Sequence, residues 1–250
     1  NYRHQADVLA IYQQLRQAGY TDDRIILIVE DDIADNVSNP NKGVIQVTIG
    51  GNNVYENVEI DYRMSSLKAK DILAILNGEK SESLPTVIES TENDNLFVFW
   101  SGHGVPGAMC WDEEPYAMTG DDLSTVFKDM NLKRRYRKLL MMVEACFSGG
   151  VMEQCEGIPG MLFITAANGD ETSKADVFNG EMKVWMSNRF TSTFIEQITD
   201  NKDVAMRDLY YRLFINTVGS HVMVYNAENY GNLYSANMSE FINFKNDKSK

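Results

Sequence analysis

The sequence has few of the residues that build metal sites and disulfide frameworks. Only three cysteines (Cys110, Cys146 and Cys155) and three histidines occur among 250 residues. Their spacing fits no zinc-binding pattern, and the cysteines do not define a redox compartment. We therefore expect no metal and no cofactor, so any chemistry must come from the side chains of the chain itself.

Long hydrophobic runs and a basic surface are also missing. No stretch approaches the roughly 18 apolar residues of a membrane-spanning helix. The chain has 23 basic and 36 acidic residues and a formal net charge of −13, which disfavours nucleic acid or an anionic membrane as a partner. With 44% hydrophobic residues and no clear linker or repeat, the sequence predicts a single α/β domain over residues 1–250.

Two short apolar runs each end in a residue that is able to do chemistry. Residues 96–100 (LFVFW) are followed by Ser-Gly-His-Gly, which contains His103. Residues 139–143 (LLMMV) are followed by Glu-Ala-Cys, which contains Cys146. Such runs are typical of strands buried on both faces, as in parallel sheets, and residues 120–130 between them predict a helix.

A right-handed crossover would make these strands parallel and bring His103 and Cys146 to one edge of the sheet. An imidazole beside a thiol stabilises the nucleophilic thiolate. The N–H groups of Gly104 and Cys146 are candidate donors to the oxyanion of a tetrahedral intermediate. A single His or Cys at a strand end is more often structural, but the two together favour catalysis.

The remaining chain alternates between helical and extended patterns. Amphipathic helices are predicted at residues 1–18, 67–76, 187–199 and 204–218. Strands are predicted at residues 24–29, 161–167 and 221–225, and a hairpin or flap at residues 44–60. Loops are predicted at residues 79–95, 151–160 and 168–180, and the charged tail 243–250 is expected to fray.

Several motifs in this order resemble the legumain family of cysteine endopeptidases, which also includes the catalytic subunit of the GPI transamidase. The resemblance implies a caspase-like three-layer α/β sandwich with a mostly parallel central sheet. It spans nearly the whole chain, and the matching stretches are residues 1–7 (NYRHQAD), 31–34, 39–40, 54–55, 61–62, 103–104, 144–146, 148–149, 165–168 and 220–223.

The resemblance implies roles for individual residues. Cys146 would be the nucleophile and His103 the general acid and base, with Asn1 orienting the histidine. The pocket for the residue before the cleaved bond would be built partly from these positions: Arg3, His4, Glu144, Thr172, Ser173 and Glu181. Cationic and acidic walls together suit a carboxamide, which implies cleavage after asparagine, and after aspartate at lower pH. Without the family, Arg3 and Glu144 would be interpreted as a simple ion pair.

The sequence also departs from the family. The family's first strand lies upstream of the segment that matches Asn1. We therefore expect that residues are missing, or that a cleaved N-terminal piece of the protein stays bound as a separate chain. The helical C-terminal prodomain of animal and plant legumain zymogens has no counterpart here. The family implies an exported, secretory or lysosomal-type location.

Three other functions remain open from the sequence. A transamidase or a peptide ligase would pass the same acyl-enzyme to an amine instead of water. A caspase-like scaffold used only for binding belongs to a different class, and the intact pair of His103 and Cys146 argues against it. Peptide or protein substrates are the expected partners of the enzyme.

Overall fold

A four-stranded sheet between two layers of helices forms the centre of the protein. The computed structural model describes residues 1–111 and 117–244, so residues 245–250 of the charged tail lie outside the described part. In chain order the helices and strands are α1 (Tyr2–Gln17), α2 (Ala69–Asn77), β1 (Asn95–Ser101), β2 (Gly104–Val105), β3 (Ala108–Cys110), β4 (Ala117–Thr119), α3 (Gly120–Leu132), β5 (Lys138–Glu144), α4 (Ser148–Met152), β6 (Met161–Thr165), β7 (Ala175–Asn179), β8 (Val184–Asn188), α5 (Arg189–Asp200), α6 (Met206–Asn216), β9 (Met223–Tyr225) and α7 (Ala227–Tyr230).

The main sheet has the strand order β1-β5-β6-β9. Strand β5 pairs in parallel with both β1 and β6, and β9 closes the sheet antiparallel to β6. The prediction of an α/β fold with a mostly parallel sheet is therefore confirmed. None of the helices within the described ranges is long and apolar enough to cross a membrane.

Burial on both faces explains the continuous apolar run of β5. Met141 packs in a core with Phe127 of α3, and Met142 packs in a second core with Phe194 of α5. Because successive side chains of a strand point to opposite faces, a strand between two cores must be apolar at every position. The same argument explains why β5 and β6 could be recognised from local composition.

Two predicted segments in the N-terminal part do not form strands. Arg24 ends a 3-10 turn at Asp22–Arg24, and the segment after it makes a single parallel bridge, between Ile28 and Tyr62. Residues 44–60 reverse direction with two backbone bonds, from Gly51 N–H to the Thr48 carbonyl and from Val54 N–H to the Ile45 carbonyl, and form no strand there. The buried side chains of Ile45 and Val54 belong to the core under α1, so packing on a helix produces the alternation that had predicted a hairpin flap.

Two predicted loops contain regular structure. Residues 151–160 continue helix α4 and then a 3-10 turn at Glu153–Cys155. Residues 168–180 contain β7, which pairs with β8, so the helix predicted from residue 187 begins at Arg189 as α5. The antiparallel β7–β8 pair packs on α1 through residues such as Met186, a contact that no local pattern encodes.

A groove of about 750 Å³ runs along the outer edge of β1. One wall is β1 and the other is the extended segment at residues 25–28, while Trp111 and Met118 lie at its side. Every residue of β1 is only partly buried, although most of them are apolar. The groove lies where a further strand could pair with β1. The additional strand stays a prediction, and this groove is the place where it would fit.

Amide hydrogen exchange tests whether that edge is open. In the chain described here, β5 is paired on both sides and β1 on one side only. We expect exchange in β1 to be clearly faster than in β5, because every second β1 amide lacks a strand partner. A longer form that carries the additional strand should slow β1 selectively. Equal protection of β1 and β5 in the present chain would contradict an open edge.

Candidate active site

The parallel register of β1 and β5 brings His103 and Cys146 to the same edge of the sheet. Ser101 is paired with Glu144. His103 lies two positions after Ser101, and Cys146 lies two positions after Glu144. The Gly102 N–H donates to the Glu144 carbonyl at 3.1 Å, which continues the pairing beyond the strands. The common edge predicted for the two residues is therefore present.

The ring of His103 is held by Asn1. The distance from Asn1 Nδ2 to His103 Nε2 is 3.2 Å, and the His4 ring packs edge-on at 4.8 Å between ring centroids. Burial, followed by the positive charge of Arg3, lowers the pKa of His103 below its ordinary value. A lowered pKa keeps the imidazole neutral, and therefore able to accept a proton, to a more acidic pH.

The thiol of Cys146 faces a hydroxyl. Its Sγ lies 4.0 Å from Ser173 Oγ, in the loop that follows β6. Cys146 is partly exposed and unpaired with another cysteine, as a nucleophile must be.

The backbone of Gly104 lies very close to the backbone of Cys146. The Cys110 N–H donates to the His103 carbonyl at 3.0 Å, so His103 and Cys110 form a hydrogen-bonded pair across the β2–β3 hairpin. Bonded and non-bonded pairs alternate in an antiparallel ladder, and the next pair is Gly104 with Met109. The Gly104 N–H therefore points away from β3, and a Cβ atom at Gly104 would overlap the carbonyl oxygen of Cys146.

A tight turn follows Cys146. Phe147 has φ 56° and ψ 17°, in the left-handed region, and α4 begins at the next residue. Gly149 sits so close to Asn168 and the Tyr225 hydroxyl that any Cβ would overlap them. This packing fixes the strand-to-helix turn that presents Cys146 at the sheet edge.

A buried polar cluster lies beside the catalytic pair. Asp7 is fully buried and accepts hydrogen bonds from the Asn188 backbone N–H (3.1 Å), the Asn188 side-chain amide (2.6 Å) and the Ser101 hydroxyl (2.8 Å). The other Asn188 amide atom, Oδ1, accepts from Arg3 Nε at 3.0 Å. The sequence did not identify Asp7, Ser101 or Asn188 as members of the site, although Asp7 lies within the NYRHQAD motif.

The cluster also contacts the ring of His4. His4 Nδ1 lies 3.1 Å from Ser101 Oγ and 3.4 Å from Asn188 Nδ2. The other ring nitrogen, Nε2, is buried without a hydrogen-bond partner among the described residues. Burial, aided by the charge of Arg3, lowers the pKa of His4 to about 2, so the ring is neutral at any working pH.

Glu144 lies at the base of the same cluster. Its Oε2 accepts the Thr191 N–H at 3.1 Å in the first turn of α5, while Oε1 is buried without a hydrogen-bond partner. Burial and the nearby carboxylate of Asp7 raise the pKa of Glu144, and burial raises the pKa of Asp7. Within the described residues Arg3 forms no ion pair with Glu144, so interpreting these two residues as a simple ion pair is wrong.

The other predicted pocket residues are distributed unevenly. Ser173 is next to the thiol, as described above. Thr172 is exposed and accepts a hydrogen bond from Lys174 Nζ at 2.9 Å. Glu181 is exposed in the turn between β7 and β8, where its N–H donates to Asn179 Oδ1 at 3.0 Å. The structure thus brings Ser173 to the thiol and leaves Glu181 at a hairpin tip.

A thiol and an imidazole at the carboxyl edge of a parallel sheet, with the backbone of Gly104 close to that of Cys146, define a protein of the cysteine-peptidase class. The chain belongs to the peptidase C13 family, whose model matches residues 1–241. The resemblance to the legumain family is thereby confirmed.

Known relatives agree with this family. Legumain of Rattus norvegicus is 31% identical over 232 residues, covering 90% of this chain and 53% of the relative. The vacuolar-processing enzyme of Ricinus communis is 38% identical over 177 residues, covering 69% of this chain and 35% of the relative. Among solved structures, caspase-1 of Spodoptera frugiperda matches with a TM-score of 0.48 and 12% identity, covering 86% of this chain and 88% of its own. The chain spans about half the length of the legumain that it matches.

Substituting Glu144 tests the electrostatics of the cluster. Because burial raises the pKa of Glu144, the folded state holds its proton at a pH where the unfolded state has lost it. The free energy of unfolding should therefore fall as the pH rises from about 4 toward neutrality. We expect Glu144→Gln to flatten this dependence and to raise Tm at pH 7.5 by roughly 2–4 °C for each kcal/mol recovered. Glu196→Gln, at an exposed position of α5, is the control. An unchanged pH dependence in Glu144→Gln would contradict the expected linkage.

Gly104→Ala tests the close approach at the thiol. The added Cβ would overlap the Cys146 carbonyl oxygen, so the two segments must move apart and the Gly104 N–H must leave its place. Loss of one oxyanion donor costs about 10²- to 10³-fold in kcat, and we expect a loss of that size. Gly180→Ala, where a Cβ meets nothing within 4 Å, should keep full activity. A fully active Gly104→Ala enzyme would exclude this N–H from catalysis.

Proposed function

We propose that this chain is the peptidase part of a cysteine endopeptidase that cleaves after asparagine, and after aspartate at lower pH. The observation that carries the proposal is the placement of Cys146 and His103 beside the Arg3, Asp7 and Glu144 cluster. Membership of the peptidase C13 family and similarity to legumain support it.

The proposed reaction proceeds through an acyl-enzyme. His103 takes the proton of the Cys146 thiol, the thiolate attacks the scissile carbonyl carbon, and the N–H groups of Gly104 and Cys146 stabilise the resulting oxyanion. His103 gives its proton to the amine as the C–N bond breaks, which leaves a thioester on Cys146. Water then attacks the thioester with His103 as the base, and the acid product leaves as the thiol is regenerated. Asn1 keeps the imidazole in the orientation that both steps need.

The chemistry of the cluster favours a carboxamide. The amide of a substrate asparagine offers one acceptor oxygen and two donor hydrogens. Arg3 supplies donors, whereas Glu144 Oε1 and His4 Nε2 are buried polar atoms without hydrogen-bond partners among the described residues. Buried polar atoms of this kind normally find a partner, and a bound amide is the natural one.

The same cluster gives a reason for aspartate cleavage at lower pH. An ionised Glu144 repels a substrate carboxylate, whereas a protonated Glu144 can donate a hydrogen bond to it. Since burial raises the pKa of Glu144, this change falls closer to neutrality than for an exposed glutamate. An acidic lysosomal or vacuolar type of compartment is the proposed location, in keeping with relatives that include a vacuolar-processing enzyme.

Cleavage kinetics on matched fluorogenic peptides test the proposal. Peptides with Asn, Asp, Lys or Leu before the scissile bond should be cleaved from pH 4 to 8 with Asn strongly preferred and Asp gaining as the pH falls. We expect Cys146→Ala and His103→Ala each to lose about 10³-fold or more in kcat, because the two groups act as one unit. Preference for Lys would reject the carboxamide pocket, and activity retained in Cys146→Ala would reject the nucleophile.

Product analysis with an added amine nucleophile separates the related reactions. Hydrolysis yields a free acid, whereas transamidation or ligation yields a new amide from the same thioester. No turnover and no alkylation of Cys146 would instead support a binding scaffold.

A further inference from the structure

The loop between β6 and β7 has a direct role at the nucleophile but no regular structure of its own. It carries Ser173, whose Oγ lies 4.0 Å from Cys146 Sγ. Irregular loops are usually the most mobile parts of a fold. Something must therefore hold this loop in place if the thiol is to keep a constant environment.

Glu171 is bonded to three separate segments at this point. Its backbone carbonyl accepts the Phe147 N–H at 2.8 Å, in the turn that follows Cys146. Its carboxylate Oε1 accepts the Asn168 N–H at 3.3 Å and the His221 N–H at 2.6 Å. The second oxygen, Oε2, lies 2.9 Å from His221 Nδ1, within hydrogen-bonding distance. One residue thus joins the cysteine turn, its own loop and the segment before β9.

The bond to Phe147 acts on the least relaxed part of the site. Phe147 is in the left-handed region with φ 56°, a conformation that costs a non-glycine residue about 1 kcal/mol or more. The peptide unit between Cys146 and Phe147 carries the N–H that Glu171 binds. The same unit carries the Cys146 carbonyl, which lies against Gly104, so its orientation constrains the backbone from which the thiol projects.

The charge state of Glu171 suits this task. Burial raises the pKa of its carboxyl, but hydrogen bonds from His221 and Asn168 more than offset that effect and leave the pKa below its usual value. The carboxylate consequently stays ionised in mildly acidic conditions. Hydrogen bonds to an ionised acceptor are roughly twice as strong as neutral ones.

We propose that Glu171, with His221 as its partner, is a positioning residue that holds the 168–173 loop and the Phe147 turn in register around Cys146. Its effect on turnover rests on the cysteine-peptidase function proposed above. The assignment also gives a role to His221, which lies in a motif shared with the family but outside the catalytic pair.

Three variants test the proposal in the full chain. Glu171→Ala removes both carboxylate oxygens, and Glu171→Gln keeps one acceptor for the two backbone N–H groups. Asp170→Asn removes a charge from the neighbouring position of the same loop and is the matched control. The measurements are kcat and KM on an Asn peptide, the rate of Cys146 alkylation by iodoacetamide, and Tm.

We expect Glu171→Ala to lower kcat about 10- to 100-fold with little change in KM, as for a small misplacement of reacting groups. Alkylation of Cys146 should slow about fivefold or more, because the thiol loses its aligned environment. Glu171→Gln should recover part of both rates, and Asp170→Asn should match the wild type. Wild-type kcat and alkylation rates in Glu171→Ala, with or without a lower Tm, would overturn the positioning role.

The alkylation rate separates this proposal from the proposed function. If the wild type cleaves no Asn peptide, the endopeptidase assignment fails, yet the comparison of alkylation rates still decides the role of Glu171. If the wild type is active and the variants alkylate and turn over like it, only the positioning role fails.

Discussion

The buried carboxylate of Asp7 is the interaction on which the site depends. It accepts hydrogen bonds from both the backbone and the side chain of Asn188 and from Ser101. These contacts tie α1 to the end of β1 and to the junction of β8 and α5. Removing a carboxylate of this kind would leave several buried donors unpaired, which costs about 1–3 kcal/mol each.

Hydrogen bonds between side chains of different elements hold the site together. The strands place His103 and Cys146 at one edge because apolar burial drives the parallel sheet. The hydrogen bonds of Asp7 and Asn188 then set the positions of Arg3 and His4 beside that pair. Ionisation of two buried carboxyls in one cluster destabilises the folded state, and for this reason their pKa values are raised. Such a cost is common at functional sites that need polar groups shielded from water.

Two glycines and one residue in the left-handed region allow the backbone to pack closely and turn sharply around Cys146. Gly104 lets the β2 backbone approach the Cys146 carbonyl, and Gly149 lets α4 pack against the loop after β6. Phe147 turns the chain sharply between strand and helix. The result is a thiol at the sheet edge, closely bordered by backbone, in a protein that carries no metal-binding group of three or more acidic, His or Cys side chains in its described part.

The sequence by itself determined the parallel strands and the two residues at their ends, because a strand buried on both faces is apolar at every position. Helices α1, α3 and α6 were likewise predictable from their periodicity. Residues 44–60, where a hairpin or flap was expected, reverse direction without forming strands, since the alternation there reflects packing on α1 and not pairing between strands. Only the tertiary structure decided the pocket. Asp7 and Asn188 are 181 positions apart, and no local pattern links them. Their pairing, and the raised pKa of Glu144 beside them, arise from burial, which is a property of the folded chain.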